Sequence, residues 1–160
     1  GKLVYSWKTG TDPIGPSEEK ALIECGILSR EEAHFMPRDA ESGKPVVLHS
    51  GSVQWNPSLR RWLLIAVEIG GSTFLGEVWC ALSDRLTGPW EKAVKIVTHN
   101  RYTFYNPVHH PFFDQQNHRV IYFEGTYAKT FSEAPFATPG YDYNQILYRL
   151  DLSTLDELEQ

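Results

Sequence analysis

Two glutamates, Glu68 and Glu124, each close a hydrophobic run and open onto a turn. Glu68 follows Trp62-Leu63-Leu64-Ile65-Ala66-Val67 and precedes Gly70-Gly71, while Glu124 follows Val120-Ile121-Tyr122-Phe123 and precedes Gly125. Carboxyl groups beside such runs lose water, and desolvation favours the protonated acid. A protonated carboxyl opposite an ionised one is the equipment of glycoside hydrolysis: one donates a proton to the leaving oxygen, the other activates water or attacks. Glu124 is the favoured acid, because Tyr122, Phe123 and Tyr127 surround it with rings and Gly125 adds freedom. Glu77, in Gly76-Glu77-Val78, is a third candidate. The plain alternative is that each glutamate marks where a strand meets water.

The elements that must position these groups read as strands. Val46-Val47-Leu48-His49 and Gly51-Ser52-Val53-Gln54-Trp55 are short β runs, followed by the turn Asn56-Pro57-Ser58-Leu59-Arg60. Arg61 to Glu68 is a strongly apolar strand ended by Gly70-Gly71. Gly76 to Ser83 and Ala93 to Val97 are two more, joined through Leu86-Thr87-Gly88-Pro89-Trp90. The same order then returns: Tyr105 to Phe113, a turn at Asp114 to His118, Arg119 to Glu124, a long polar loop, and Asn144 to Asp151. Glu68 falls on Glu124, and Trp62 on Val120, at an offset of roughly 56–58 residues. A sheet unit recurring at that spacing predicts an all-β, partial β-propeller of about two to three antiparallel blades. The alternative is a β-sandwich, to which the same strand lengths are suited.

The predicted boundaries are a partial blade with connecting loops over 1–44, blades over 45–98 and 99–152, and an acidic tail over 153–160 that frays. Within the first segment Leu3 to Trp7 reads as a short strand and 9–16 as a loop. Helical turns start at Ser17, which caps, and at Ser29.

Composition bounds the rest. The chain has 160 residues, 41% hydrophobic and 22% charged, which suits one folded core rather than disorder. A net charge of −5 without a basic run argues against nucleic acid. No apolar stretch reaches the ~20 residues that span a bilayer, so a soluble chain is expected. Gly1-Lys2-Leu3-Val4 has no signal-peptide character and reads as an interior or trimmed beginning. Cys25 and Cys80 have no metal-ligand spacing, and Cys80 reads as a small buried hydrophobe. Gly70-Gly71 lacks the lysine and helix start of a phosphate loop, and no Gly-x-Ser-x-Gly elbow is present. No cofactor and no metal is expected. The aromatic share, 13%, suits pleated sheets and also sugar faces that stack on rings.

The string Ser83-Asp84-Arg85-Leu86-Thr87-Gly88-Pro89-Trp90 resembles the blade connection of the five-bladed β-propeller glycosidases, the arabinanases and β-xylosidases with invertases and levansucrases as relatives. Asn56 to Trp62 looks like that family's first hairpin, and the resemblance covers roughly residues 45–152. It implies a segment that acts on or binds polysaccharide, with carbohydrate as partner and a secreted or periplasmic setting. Trp90 would plug between blades. Such an enzyme needs about twice this length, and its general base, an Asp on the innermost strand of the first blade, has no match here. The resemblance therefore also implies further blades or self-association. A non-catalytic glycan- or protein-binding module, or a unit that only closes a larger ring, is the alternative. The first strand of a blade lines the channel, which makes Tyr105, Asn106, His109 and His110, with Tyr127, candidate substrate contacts. Strand alternation turns His109 and His110 to opposite faces, so one of them faces the channel.

Overall fold

The computed structural model describes Ser6, residues 8–99 and residues 101–155. The strand expected at Leu3 to Trp7 and most of the acidic tail lie outside them. The chain is all-β and forms two sheets. The first contains β1 (Arg38–Asp39), β2 (Leu48–Asn56), β3 (Arg61–Glu68), β4 (Val78–Ser83) and β5 (Lys92–Val97), in spatial order β1-β5-β4-β3-β2. The second contains β6 (Thr103–His109), β7 (Val120–Ala128) and β8 (Tyr143–Asp151), in that order. All neighbours pair antiparallel except β1, which lies parallel to β5. The two short runs expected at 46–55 are one strand, β2, with an irregularity between Leu48 and Gly51.

One core lies between the sheets. Leu63 and Ile65 of β3 and Val78, Cys80 and Leu82 of β4 meet Phe104, Ile121 and Phe123 from the second sheet. Leu152 and Leu155, just past β8, close it from the C-terminal side. Gly125 permits this packing: a Cβ there would sit 2.3 Å from the Phe104 ring. Cys80 is fully buried, and burial pushes its thiol up to about 12. Two facing sheets around one core are common to a sandwich and to a pair of neighbouring blades.

Polar groups also cross between the sheets. Asn56, 1% exposed, accepts from the amides of Ser58 and Leu59 and donates to the His118 carbonyl at 2.8 Å. His99 donates from Nδ1 to the Gly76 carbonyl (2.9 Å) and accepts from the Tyr148 hydroxyl at Nε2 (3.1 Å). Its ring stacks on Phe104 at 4.6 Å. Burial lowers the His99 pKa, which keeps the imidazole neutral, as this donor–acceptor pattern requires.

The other face of the first sheet is covered as well. Leu64 and Ala66 of β3, Trp79 and Ala81 of β4, and Ala93 of β5 pack there with Val46, Leu48, Trp90 and Phe35. β3 is thus buried on both faces, which is why its sequence is continuously apolar. Trp90 is buried in this outer layer rather than in the core between the sheets. The covering segment carries helix α1 (Pro16–Glu24). Its cap is Gly15, not the expected Ser17: Pro16 suits the first helical position, and Glu18 reaches back to accept from the Gly15 amide at 2.9 Å. Glu19, fully buried, accepts from the amides of His34 (2.6 Å) and Phe35 (2.8 Å) and so ties the helix to the cover. The second expected helical start is a single 3₁₀ turn at Arg30–Glu32.

Candidate functional site

A cleft of about 350 Å³ opens at one end of the covered face of the first sheet. Trp79, Glu68, Glu77 and Lys95 line it together with Asp39, Ser42 and Lys44. The register explains the grouping. Ala66, Trp79 and Lys95 lie in one cross-strand row, and Glu68 and Glu77 stand two residues along the same face. Asp39 arrives through the parallel pairing of β1 on β5, where it registers with Ala93.

Each carboxylate is engaged by the chain itself. Glu68 accepts from the Trp79 indole N–H at 2.8 Å. Glu77, 4% exposed, accepts from the Ser72 amide at 2.7 Å and from the Thr98 hydroxyl at 3.2 Å. Gly71 sits against both groups. A Cβ at that position would lie 1.6 Å from Glu77 Oε2 and 3.2 Å from Glu68 Oε2, so a side chain is excluded and the two oxygens lie within about 5 Å of each other. Burial raises the Glu68 pKa and the neighbouring Glu77 adds to the rise, against the opposing Trp79 hydrogen bond and the Lys95 charge. Asp39 moves the other way: burial alone would raise it, but hydrogen bonds from Ser42 and Glu41 and the charge of Lys95 hold it below the ordinary carboxylate value. Lys95 Nζ stands 5.1 Å over the Trp79 ring.

The residues expected from sequence occupy separate places. Glu68 lies in the cleft. Glu124 lies in β7, alternating with Phe123 and Gly125, so it points to the face of the second sheet turned away from the core. There it pairs with His110, Oε1 to Nε2 at 3.1 Å, beside the rings of Phe112 and Phe113. Tyr105 registers with Thr126, on the face that carries Glu124, and is exposed. Asn106, in a left-handed conformation, accepts from the Ser50 hydroxyl at 3.4 Å where β6 meets β2. Tyr127 lies on the core side against Tyr102 and His99, and burial raises its pKa.

His109 and His110 do take opposite faces. His109, 2% exposed, points inward, and its Nε2 lies 2.9 Å from the buried Asp114 carboxylate. Asp114 also binds His118 Nδ1 at 2.9 Å. His118 ends three consecutive left-handed residues, Gln116, Asn117 and His118, a costly backbone for side chains with a Cβ. Asp114 and Asn56 hold that turn from both sides. The turn expected at Asp114 to His118 is thus a hydrogen-bonded cluster, which nothing in its local sequence announces. Nor does local sequence announce Lys44, Asp39 and Lys95 as neighbours of Glu68. The one available signal for Glu77 was a carboxylate heading a wholly apolar strand.

Comparison with known protein families, curated proteins and solved structures finds no match to this chain.

Proposed function

We propose that this chain is a polysaccharide-directed module of glycosidase-like propeller type, working at the Glu68–Glu77 cleft. The observation that carries the reading is the carboxyl pair, with oxygens no more than about 5 Å apart across Gly71; glycoside hydrolysis works with such a facing pair of carboxyl groups. Glu68, whose pKa is raised, is suited to donate a proton to the leaving oxygen. Glu77, held by Ser72 and Thr98, is suited to attack the anomeric carbon, after which water releases the sugar. The propeller reading is supported by the antiparallel order β2-β3-β4-β5 and β6-β7-β8 in the two sheets and by the meeting of β2 with β6. There the His109 amide donates to the Ser52 hydroxyl at 2.8 Å.

The test is turnover of arabinan and xylan fragments. Glu68→Gln and Glu77→Gln each lower the rate by a hundredfold or more, about 10² or above for an essential acid or nucleophile. Glu124→Gln, altered on the other sheet, leaves it unchanged. The rate of the wild type falls as pH rises through the raised pKa of Glu68. Full activity in Glu68→Gln removes the assignment. A second reading, binding without catalysis, is favoured by the 4% exposure of Glu77. Under it, the fragments bind wild-type protein but are recovered intact.

A further inference from the structure

Glu68 and Glu77 are held in different ways. Both oxygens of Glu77 are engaged, Oε2 by the Ser72 amide at 2.7 Å and Oε1 by the Thr98 hydroxyl at 3.2 Å. Glu68 is held by one oxygen only. Its Oε2 accepts from the Trp79 indole N–H at 2.8 Å, and its Oε1 has no hydrogen-bond partner among the described residues. The register fixes this arrangement. The Glu68 amide donates to the Glu77 carbonyl at 2.9 Å, which sets the two glutamates opposite each other. Trp79 follows two residues after Glu77, on the same face of the sheet. Its ring is buried in the outer layer that includes Ala66, Trp90 and Ala93, with Lys95 Nζ over it at 5.1 Å. A ring packed on that side and held from above does not turn its N–H elsewhere.

We infer that Trp79 is the positioning residue of the acid: its indole fixes Oε2 of Glu68 as the accepting oxygen, so that the proton given to the leaving oxygen sits on Oε1. The inference rests on the sugar-directed reading of the same cleft. A protonated carboxyl carries one O–H donor and one carbonyl oxygen that accepts, and an indole N–H only donates. A fixed N–H therefore dictates which oxygen keeps the proton. Holding a general acid in one orientation is what brings its proton to the reacting atom. The charged groups facing Glu68 are Glu77 ahead of β4, Lys95 of β5 and Asp39 of β1, with Lys44 on the same cleft. Burial raises the Glu68 pKa most, and the Trp79 hydrogen bond is the main opposing influence. Glu77 and Asp39 add to the rise, and Lys95 lowers it. Loss of the N–H alone therefore moves the Glu68 pKa further up.

Removing the N–H while keeping the ring tests it. Trp79→benzothienylalanine preserves the bicyclic shape and carries sulfur in place of the N–H, and Trp79→Phe is its genetically encoded counterpart. Two quantities are read on the whole chain. The first is the titration midpoint of Glu68, followed by carbon NMR of the carboxyl groups, with the signal assigned by its loss in Glu68→Gln. The second is the pH profile of turnover of arabinan and xylan fragments. The expected result in both variants is a midpoint shifted upward, a fall in rate that moves to higher pH with it, and a plateau rate lowered about tenfold or more. An unmoved midpoint in the folded benzothienylalanine variant overturns the positioning role even where the rate falls, because lost packing alone would lower the rate. An unchanged plateau rate overturns it as well. Either result leaves the sugar reading standing. No turnover by the wild type overturns the sugar reading and the positioning role together.

Discussion

The two sheets share one core but treat their outer faces differently. The first sheet is buried on both sides: β3 sends Leu63 and Ile65 inward and Leu64 and Ala66 outward, under the segment that carries Phe35, Val46 and Trp90. The second sheet is buried on one side. Along β8, Tyr143, Gln145, Leu147 and Arg149 are exposed while the alternate residues are not. The same difference separates the two matched glutamates. Glu68 ends its strand beneath a cover, beside Trp79, Lys95 and a second carboxylate. Glu124 ends up on an open face with one histidine partner. Two glutamates that follow similar apolar runs therefore do not share an environment, because a carboxyl group's chemistry follows what removes water from it.

The largest effect should come from the group both sheets use. Phe104→Ala removes a fully buried ring that meets His99, Tyr148 and Gly125. Urea denaturation should show a loss of about 3–5 kcal/mol, as for other buried aromatic truncations. A loss under about 1 kcal/mol would mean that the sheets do not depend on a common core.

Next is the cover. Trp90→Ala should cost about 3 kcal/mol or more, since this 2%-exposed ring packs the outer layer of the first sheet.

A smaller, pH-dependent effect belongs to the His99 bridge. His99 stays neutral when folded and has a lowered pKa, so the unfolded chain binds more protons between that lowered value and the ordinary 6.5. Stability from this group is complete above 6.5 and is lost as pH falls toward the lowered value. Thermal melts should show that decline, and His99→Gln, less stable at neutral pH, should flatten it. An unchanged slope would show that the bridge does not couple the sheets.

The smallest effect is expected on the open face. Leu147→Ala, at a site 52% exposed, should change stability by no more than about 0.5 kcal/mol. A cost above about 2 kcal/mol would show that this face is covered in solution, and the contrast between the sheets would vanish.

Much of the fold was legible in advance for a physical reason. Period-two alternation and uninterrupted β-branched runs report strands directly, so β3, β4, β7 and β8 could be read from their own residues. The opposite facing of His109 and His110 followed from the same alternation. The double burial of β3 could be read as apolarity but not assigned to a cover, because Phe35, Val46 and Trp90 are distant in the chain. The helix began at Pro16 rather than after Ser17 because a fixed φ at the first turn decided the boundary.

The candidate site was legible only in part. Glu68 and Glu77 could be named from strand ends, but nothing local says that Gly71 brings them together or that β1 brings Asp39 toward Lys95. The sequence by itself determined where most of the strands lie, which of their faces are apolar, and that Glu68 stands at a strand end; Glu124, read the same way, stands in the middle of β7, which runs on past Gly125 to Ala128. The tertiary structure alone decided which carboxylates meet, which charges are answered, and which sheet is covered. Alternation along a strand is a property of neighbouring residues, whereas desolvation and charge pairing depend on groups that only the packed chain brings within a few ångströms.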